Sequence, residues 1–477
     1  MLLGANVICG FTRCREDHET AALFRSALVE FCQRHGLEAD ASDIHPDVEA
    51  YTLGKGKPAV HARADDLLLA GTAHPGQGDE SWQGAYAMAW TSRLSEGKTE
   101  LYLQRDPMGI GSLYTLRRGR SVCFSSSMDF LARLIDHPTL NLHAVVESIC
   151  LSSLQEAHTW FNEVQSLPPG QTLCIQLHGD GFKESKKPLR GPETFTAPKP
   201  DDHAEAAQIA VNLQNADPLA WEAFFLSVPT LASDCRQAAD FRLEAFLLHQ
   251  TENAGSGIVD CNLGLRDGRA PLNEAIVPPP QAAYPLFSKT LKKRVSAKNH
   301  IGRSLDAALA MANQPHQYFN LFSRWPAALN RTWEIAQLRG QHWRFPRLQA
   351  QLPGYTAGEA RRFPELDLDS QSTLPQPDIH TKSCTNVFDA AQRLYRMGSD
   401  KNFSNHLFRL QPPVTAKLAR RHRRTPNRQY GDLAIRLLTA DYLLGTHRFV
   451  LSDTTTDSAS HKEDELSPSP MNQPHAV

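Results

Sequence analysis

Between Leu101 and Leu134 the chain reads LYLQRDPMGIGSLYTLRRGRSVCFSSSMDFLARL, and this stretch limits the fold more than any other. ELYLQ and SLYTLR alternate apolar and polar residues, the period of strands with one buried face. Between them lies Arg105 to Gly111, where Pro107, Gly109 and Gly111 supply the backbone angles of a tight reversal. SVCFS returns as a third strand. Ser126 or Ser127 is then placed to cap the helix MDFLARL by accepting from a free amide of its first turn, with Asp129 favourable against the positive helix end. Arg105 and Asp106 are expected to brace the loop as an ion pair. The pattern is that of a β-meander feeding a helix.

The same texture of short strands and tight turns runs to about Leu189, with helices expected at Glu19 to His35, Met128 to Ile135 and around Leu142 to Leu151. It defines an α+β domain over residues 1–190, in which MLLGANVICGF reads as one buried strand. A segment rich in Pro and charge follows, with a linker at 191–202. From 203 to 452 the apolar residues recur three and four apart, as in DFRLEAFLLHQT and DLAIRLLTADYLL, which marks a second, mostly helical domain. Residues 453–477 are Ser, Thr and Pro rich and short of large apolar groups, the composition of a disordered tail.

Other features exclude function classes. A formal charge of -2 gives no general attraction to nucleic acid or anionic lipid. The basic run Lys417, Arg420, Arg421, Arg423, Arg424 and Arg428 has no interleaved aromatic residues for stacking on bases, and reads as a solvated helix end. No apolar run approaches the roughly 20 residues that cross a bilayer, and the N-terminus lacks a basic start, so a cytoplasmic protein is expected. The 9 cysteines and 20 histidines form no pair or cluster at metal-ligand spacing, and His74, His300 and His342 are read as ordinary surface or core residues.

Arg105, Asp106, Gly109, Ile110, Leu113 and Tyr114, followed by Phe124, Ser125 and Ser126, resemble the R-D-x-x-G-I-x-P-L-Y and F-(A/S)-S-E signatures of the asparagine synthetase family. Ser112 stands where the family has Pro, and Met128 near its Glu. TWFNEVQSLPPGQTLCI resembles a second signature of the family, through Phe161, Val164, Leu167, Pro169, Gly170 and Leu173. The resemblance implies a glutamine amidotransferase domain of the N-terminal-nucleophile type, an α/β/β/α sandwich over residues 1–190. SDCRQAADFRLEAFLLHQ, YFNLFSRW and NHLFRLQPPVTAKLAR are similar, at the level of pattern, to segments of the family's ATP-dependent synthetase domain. They imply a degenerate asparagine synthetase-like domain over 203–452.

The implied chemistry is eroded at both centres. The family's glutaminase uses an N-terminal Cys activated by its own amino group. Here the chain begins Met1-Leu2, and Cys9-Gly10-Phe11, which resembles the family's C-G-I start, serves only after removal of an eight-residue leader for which no cleavage signal is evident. The family's N-G-E segment has no counterpart in LLLAGTAHPGQGDESWQGAYAMAW. The family's ATP loop, S-G-G-x-D-S, is approached by Ser256-Gly257-Ile258-Val259-Asp260-Cys261, with Ser256, Gly257 and Asp260 as candidate ATP-binding residues. In a second alignment the same stretch replaces a later segment and the first nucleotide-binding unit is deleted.

The resemblance therefore implies two readings. One is an ATP-dependent C–N ligase, with ATP and Mg2+ as cofactors and a small molecule or peptide as substrate, like the lasso-peptide cyclases and β-lactam synthetases that dispense with glutamine hydrolysis. The other is a pseudoenzyme acting as scaffold or protein partner in a biosynthetic pathway. An RNA-binding role through the basic run is the least favoured. No glutamate release and weak or absent ATP binding are expected.

Overall fold

The computed structural model describes residues 2–14, 17–55, 63–64, 67–75, 82–93, 99–107, 109–151, 154, 158–178, 181–188, 207–209, 257–261, 287–295, 325–344 and 449–450. In chain order these hold β1 (Leu2–Leu3), β2 (Val7–Thr12), α1 (His18–His35), β3 (Glu38–His45), β4 (Val48–Gly54), β5 (Arg63–Ala64), β6 (Leu67–Pro75) and β7 (Trp82–Arg93). There follow β8 (Thr99–Arg105), β9 (Tyr114–Arg118), β10 (Ser121–Ser125), α2 (Met128–Ala132), α3 (Leu142–Leu151), β11 (Val164–Ser166), β12 (Gln171–His178) and β13 (Gly181–Pro188). Beyond these lie β14 (Ala207–Ile209), β15 (Gly257–Cys261), α4 (Lys289–Arg294), α5 (Trp325–Leu338) and β16 (Gln341–Arg344).

Two antiparallel sheets face each other. The first has 7 strands in the order β1-β6-β7-β8-β12-β13, with β5 beside β6; the second has 6, in the order β11-β9-β10-β2-β4-β3. Strand alternation sets the layers. On β7, Ala85, Ala87 and Ala89 point into the core between the sheets, while Tyr86, Met88 and Trp90 point to the other face. On β2, Ile8 points between the sheets and Val7, Cys9 and Phe11 point to the helices on the outer face of the second sheet.

The helix α1 has clear causes. Asp17 caps it by accepting from the Thr20 amide at 3.2 Å, and Gly36 ends it in the left-handed region at φ 62°. Its residues Thr20, Phe24, Ala27, Leu28 and Phe31, three and four apart, form the buried face. Phe24 meets Phe11 and Phe130 with ring centroids 4.8 and 5.0 Å apart, and so joins α1 to β2 and α2. The described N-terminal part is thus an α/β sandwich. Among the described residues no helix joins the apolar cluster on the outer face of the first sheet, where the expected second helical layer would lie; the linker and the tail lie outside the described residues, as does most of the helical region.

Two expectations are corrected. MLLGANVICGF forms two strands in different sheets, β1 pairing with β6 and β2 with β4 and β10. The chain crosses between sheets at Gly4, where a methyl group would come within 2.4 Å of the Leu69 carbonyl oxygen. The second correction concerns the meander. β8 belongs to the first sheet, between β7 and β12, and β9 to the second, between β10 and β11. Arg105 to Leu113 is therefore a crossing between sheets, whose interior faces lie roughly 10 Å apart. The alternation of ELYLQ and SLYTLR is the same in either arrangement, because it reports burial of one face and not which sheet supplies it.

From the second region, β14, β15 and β16 form a parallel sheet in that order. It packs on the sandwich: Val259, Trp333, Ala336 and Trp343 join the core between the two larger sheets. α4 and Phe449 join the helix-side core, with the Phe449 ring 4.9 Å from that of Phe161. Among the described residues no helix is long and apolar enough to cross a membrane.

Candidate functional site

The crossing from β8 to β9 is held by its two charged residues, each acting on the backbone. Arg105 is buried, and its Nε donates to the Gly111 carbonyl at 2.5 Å, its Nη1 to the Leu167 carbonyl at 3.0 Å and its Nη2 to the Gly109 carbonyl. Asp106, also buried, accepts from the Ile110 amide at 3.1 Å and the Gly111 amide at 2.6 Å. Burial lowers the Arg105 pKa, opposed chiefly by the neighbouring Asp106 carboxylate. Gly109, at φ 69°, has no room for a side chain, because a methyl group would meet Pro169 Cγ at 2.6 Å. The Gly170 amide donates to the Asp106 carbonyl at 3.1 Å, so the two segments that carry the sequence resemblance meet here. Arg105, Asp106 and Gly109 form a structural knot that ties the crossing to the segment from Leu167 to Gly170.

Cys9 lies in the middle of β2, opposite Ser125 on one neighbour and Tyr51 on the other. It is fully buried on the helix side, and burial holds its thiol well above the ordinary range, with Cys32 and Cys123 adding to the shift. A thiol so placed stays protonated and lies out of contact with solvent. The carbonyl of Ile8 accepts from the Ser126 amide at 2.9 Å and the Ser125 hydroxyl at 3.2 Å, and the Ile8 amide donates to Ser126 Oγ at 3.1 Å.

The serine run thus fastens β10 to β2. Ser127 stands at the N-cap of α2 but makes no side-chain cap bond, contrary to the expected role of Ser126 or Ser127. The Met128 amide donates instead to Glu334 Oε1 on α5 at 2.8 Å. A carboxylate thus reaches the start of α2 from a distant part of the chain. Asp129 is also not spent on the helix end alone. It holds His35 Nε2 at 3.0 Å and Arg133 Nη2 at 3.3 Å, and these partners keep its carboxyl below the usual range despite burial.

α5 and β16 therefore build a seam that sequence reasoning missed. Asn330 donates to the Ile110 carbonyl at 3.1 Å and its Oδ1 accepts from the Tyr114 hydroxyl at 3.3 Å. Trp333 fills a recess left by Gly71, where a methyl group would meet its ring at 2.8 Å. His342 is buried beside Asn6, with 3.4 Å between Nε2 and Nδ2, and burial lowers its pKa to about 4. The available signal was the spacing of Asn330, Trp333, Glu334 and Gln337, which puts amide, indole and carboxyl groups on one helical face. A surface helix would rarely mix these on its buried stripe.

Gly257 and Asp260 lie in β15, the middle strand of the parallel sheet; Ser256 is outside the described residues. Val259, Asp260 and Cys261 pair with β14, and Gly257 to Asp260 pair with β16. A phosphate cradle needs amides that converge on the ligand, whereas this backbone is committed to two neighbours. The segment Gly257–Cys261 does not fit a phosphate loop.

The glutamine amidotransferase domain family matches residues 66–186. The match spans β6 to β12 and most of β13, includes Arg105, Asp106 and Gly109, and begins after β2 and Cys9. No curated protein matches the chain. The chain therefore carries a glutamine amidotransferase-like N-terminal domain.

Proposed function

We propose that the chain is a divergent relative of asparagine synthetase, descended from ATP-dependent amide-bond-forming ligases and silent as a glutaminase with Cys9 inside β2. The observation that carries the relationship is the meeting of the two signature segments, with Arg105 bound to the Leu167 carbonyl and Gly170 bound to the Asp106 carbonyl. Silence follows from the position of Cys9, since the reaction needs a thiolate with a free neighbouring amine, and here a buried thiol is joined through its amide to Ile8. The purified protein is expected to release no glutamate from glutamine. A chain starting at Cys9 by intact mass, with turnover abolished by Cys9→Ala, would overturn that expectation.

A second reading, a non-catalytic partner or scaffold in a biosynthetic pathway, is favoured by β15. Ser256, Gly257 and Asp260 are ATP-binding candidates only in the first of the two alignments, and the strand geometry speaks against it. ATP/pyrophosphate exchange with Mg2+ separates the readings. Exchange that survives Asp260→Ala would place a working nucleotide site elsewhere and favour the ligase; no exchange with any amino acid or peptide carboxylate favours the scaffold.

A further inference from the structure

Glu334 is 2% exposed and sits where three elements of the sandwich meet α5. Its polar contacts are uncharged: the Met128 amide on Oε1 at 2.8 Å, the Tyr114 hydroxyl on Oε2 at 3.5 Å and the neighbouring Ser127 hydroxyl. The charged groups around it are otherwise engaged. From β8, Arg105 directs its guanidinium to the carbonyls of Gly109, Gly111 and Leu167. From α2, Asp129 adds a second buried negative charge, bound to His35 of α1 and to Arg133. From β9 comes Tyr114, and on α5 itself Asn330 is bound to Tyr114 and to Ile110. On β16, His342 faces Asn6 and is neutral above about pH 5.

We propose that Glu334 is a proton-operated latch: in its neutral form it lets α5 and β16 seat on the amidotransferase-like domain, and its ionisation loosens them. Ionised, the carboxylate stands out of water and beside Asp129, with the Met128 amide as its close donor and the Ser127 and Tyr114 hydroxyls giving weaker help; protonated, it avoids the cost of a buried charge and removes the repulsion. Burial, with Asp129 adding to it, raises its pKa to about 8, against 4.5 for a free glutamate. Seating therefore takes up a proton. It is strongest below about pH 4.5 and weakens as pH rises, until Glu334 is ionised in the seated state as well, above about pH 8. Because Trp333 and Trp343 leave with the same elements, loosening opens the core between the sheets near Gly71.

Hydrogen exchange on the full chain, followed by mass spectrometry from pH 5 to 9 and corrected for intrinsic rates, tests the latch. Protection of amides in 325–344 is expected to fall by close to tenfold per pH unit between about pH 5 and 8 and then to level. In Glu334→Gln, which keeps an acceptor for the Met128 amide, protection over that range should be flat and at pH 8.5 should exceed the wild type. A flat wild-type profile overturns the proposal whether or not the variant folds. A slope that persists in Glu334→Gln also overturns it, and would assign the pH response to another group.

Discussion

Arg105 and Glu334 are both buried, both lie at joints between elements, and are treated by the fold in opposite ways. Arg105 has its donors matched to carbonyls at Gly109, Gly111 and Leu167, with Asp106 beside it, so its charge is part of the structure. Glu334 receives one backbone amide at 2.8 Å and weaker help from the Ser127 and Tyr114 hydroxyls, which do not offset the cost of burying its charge. A buried ion is fixed when each polar atom has a partner, and becomes responsive when it does not. In this chain the fixed ion lies inside the amidotransferase-like domain and the responsive one lies where the later segment docks.

The comparison breaks most visibly at Arg105. Arg105→Ala removes the donors and leaves the carbonyls of Gly109, Gly111 and Leu167 buried without them. Such losses cost about 3–5 kcal/mol, enough to leave a marginal domain largely unfolded. Arg105→Lys keeps the charge but loses the planar fork, and is expected to recover less than half of the loss. Urea unfolding of both variants checks this. A stability within about 1 kcal/mol of wild type for the alanine variant would show that the knot is dispensable.

At the responsive joint the expected effect is smaller. Gly71 has φ 84°, and an added methyl group would meet the Ala85 carbonyl oxygen at 2.2 Å and the Trp333 ring at 2.8 Å. Gly71→Ala should cost about 2–3 kcal/mol through overpacking and left-handed strain. Its mark is that Trp333→Ala, costly alone, relieves part of the clash, so a double-mutant cycle by thermal unfolding should give a favourable coupling of about 1 kcal/mol. Simple additivity would show that Trp333 is not what Gly71 makes room for.

Much of the sandwich was legible from local pattern. The strands around Arg105 announced themselves by alternation, and α1, expected from Glu19 to His35, by its pattern of apolar residues. What alternation did not carry was the partner of each strand, so a crossing between sheets read as a hairpin and β1 and β2 read as one strand. The joint at Glu334 was hidden for a related reason. Its partners, Met128 and Tyr114, stand some two hundred residues earlier, and a Glu within a helix has the same local appearance whether it meets solvent or caps another helix. At β15 a loop was implied only by the resemblance of SGIVDC to a phosphate-loop motif in one of two alignments, whereas Ile258 and Val259, both β-branched, suit the strand that forms.

Glu49 sharpens the comparison from the other side, because it is an acid with more donors than Glu334 and a more open setting. Arg25 donates to it at 2.7 and 2.6 Å, Tyr51 at 2.7 Å and Arg13 at 3.2 Å. The Arg25 bonds lead in drawing its pKa down to about 2, against a burial cost, whereas Glu334 moves up. The pH responses must then have opposite signs. With a folded pKa below the unfolded one, Glu49 contributes stability that is present above about pH 4.5 and is lost as pH falls toward 2. The size is limited, since Arg25 and Arg13 are 58% and 48% exposed and solvent screens both pairs. Glu49→Gln is therefore expected to cost about 1 kcal/mol at pH 6 and close to nothing at pH 2. Unfolding midpoints across that range check it: a cost that stays constant from pH 6 to pH 2 would mean that Glu49 acts through packing and not through its charge.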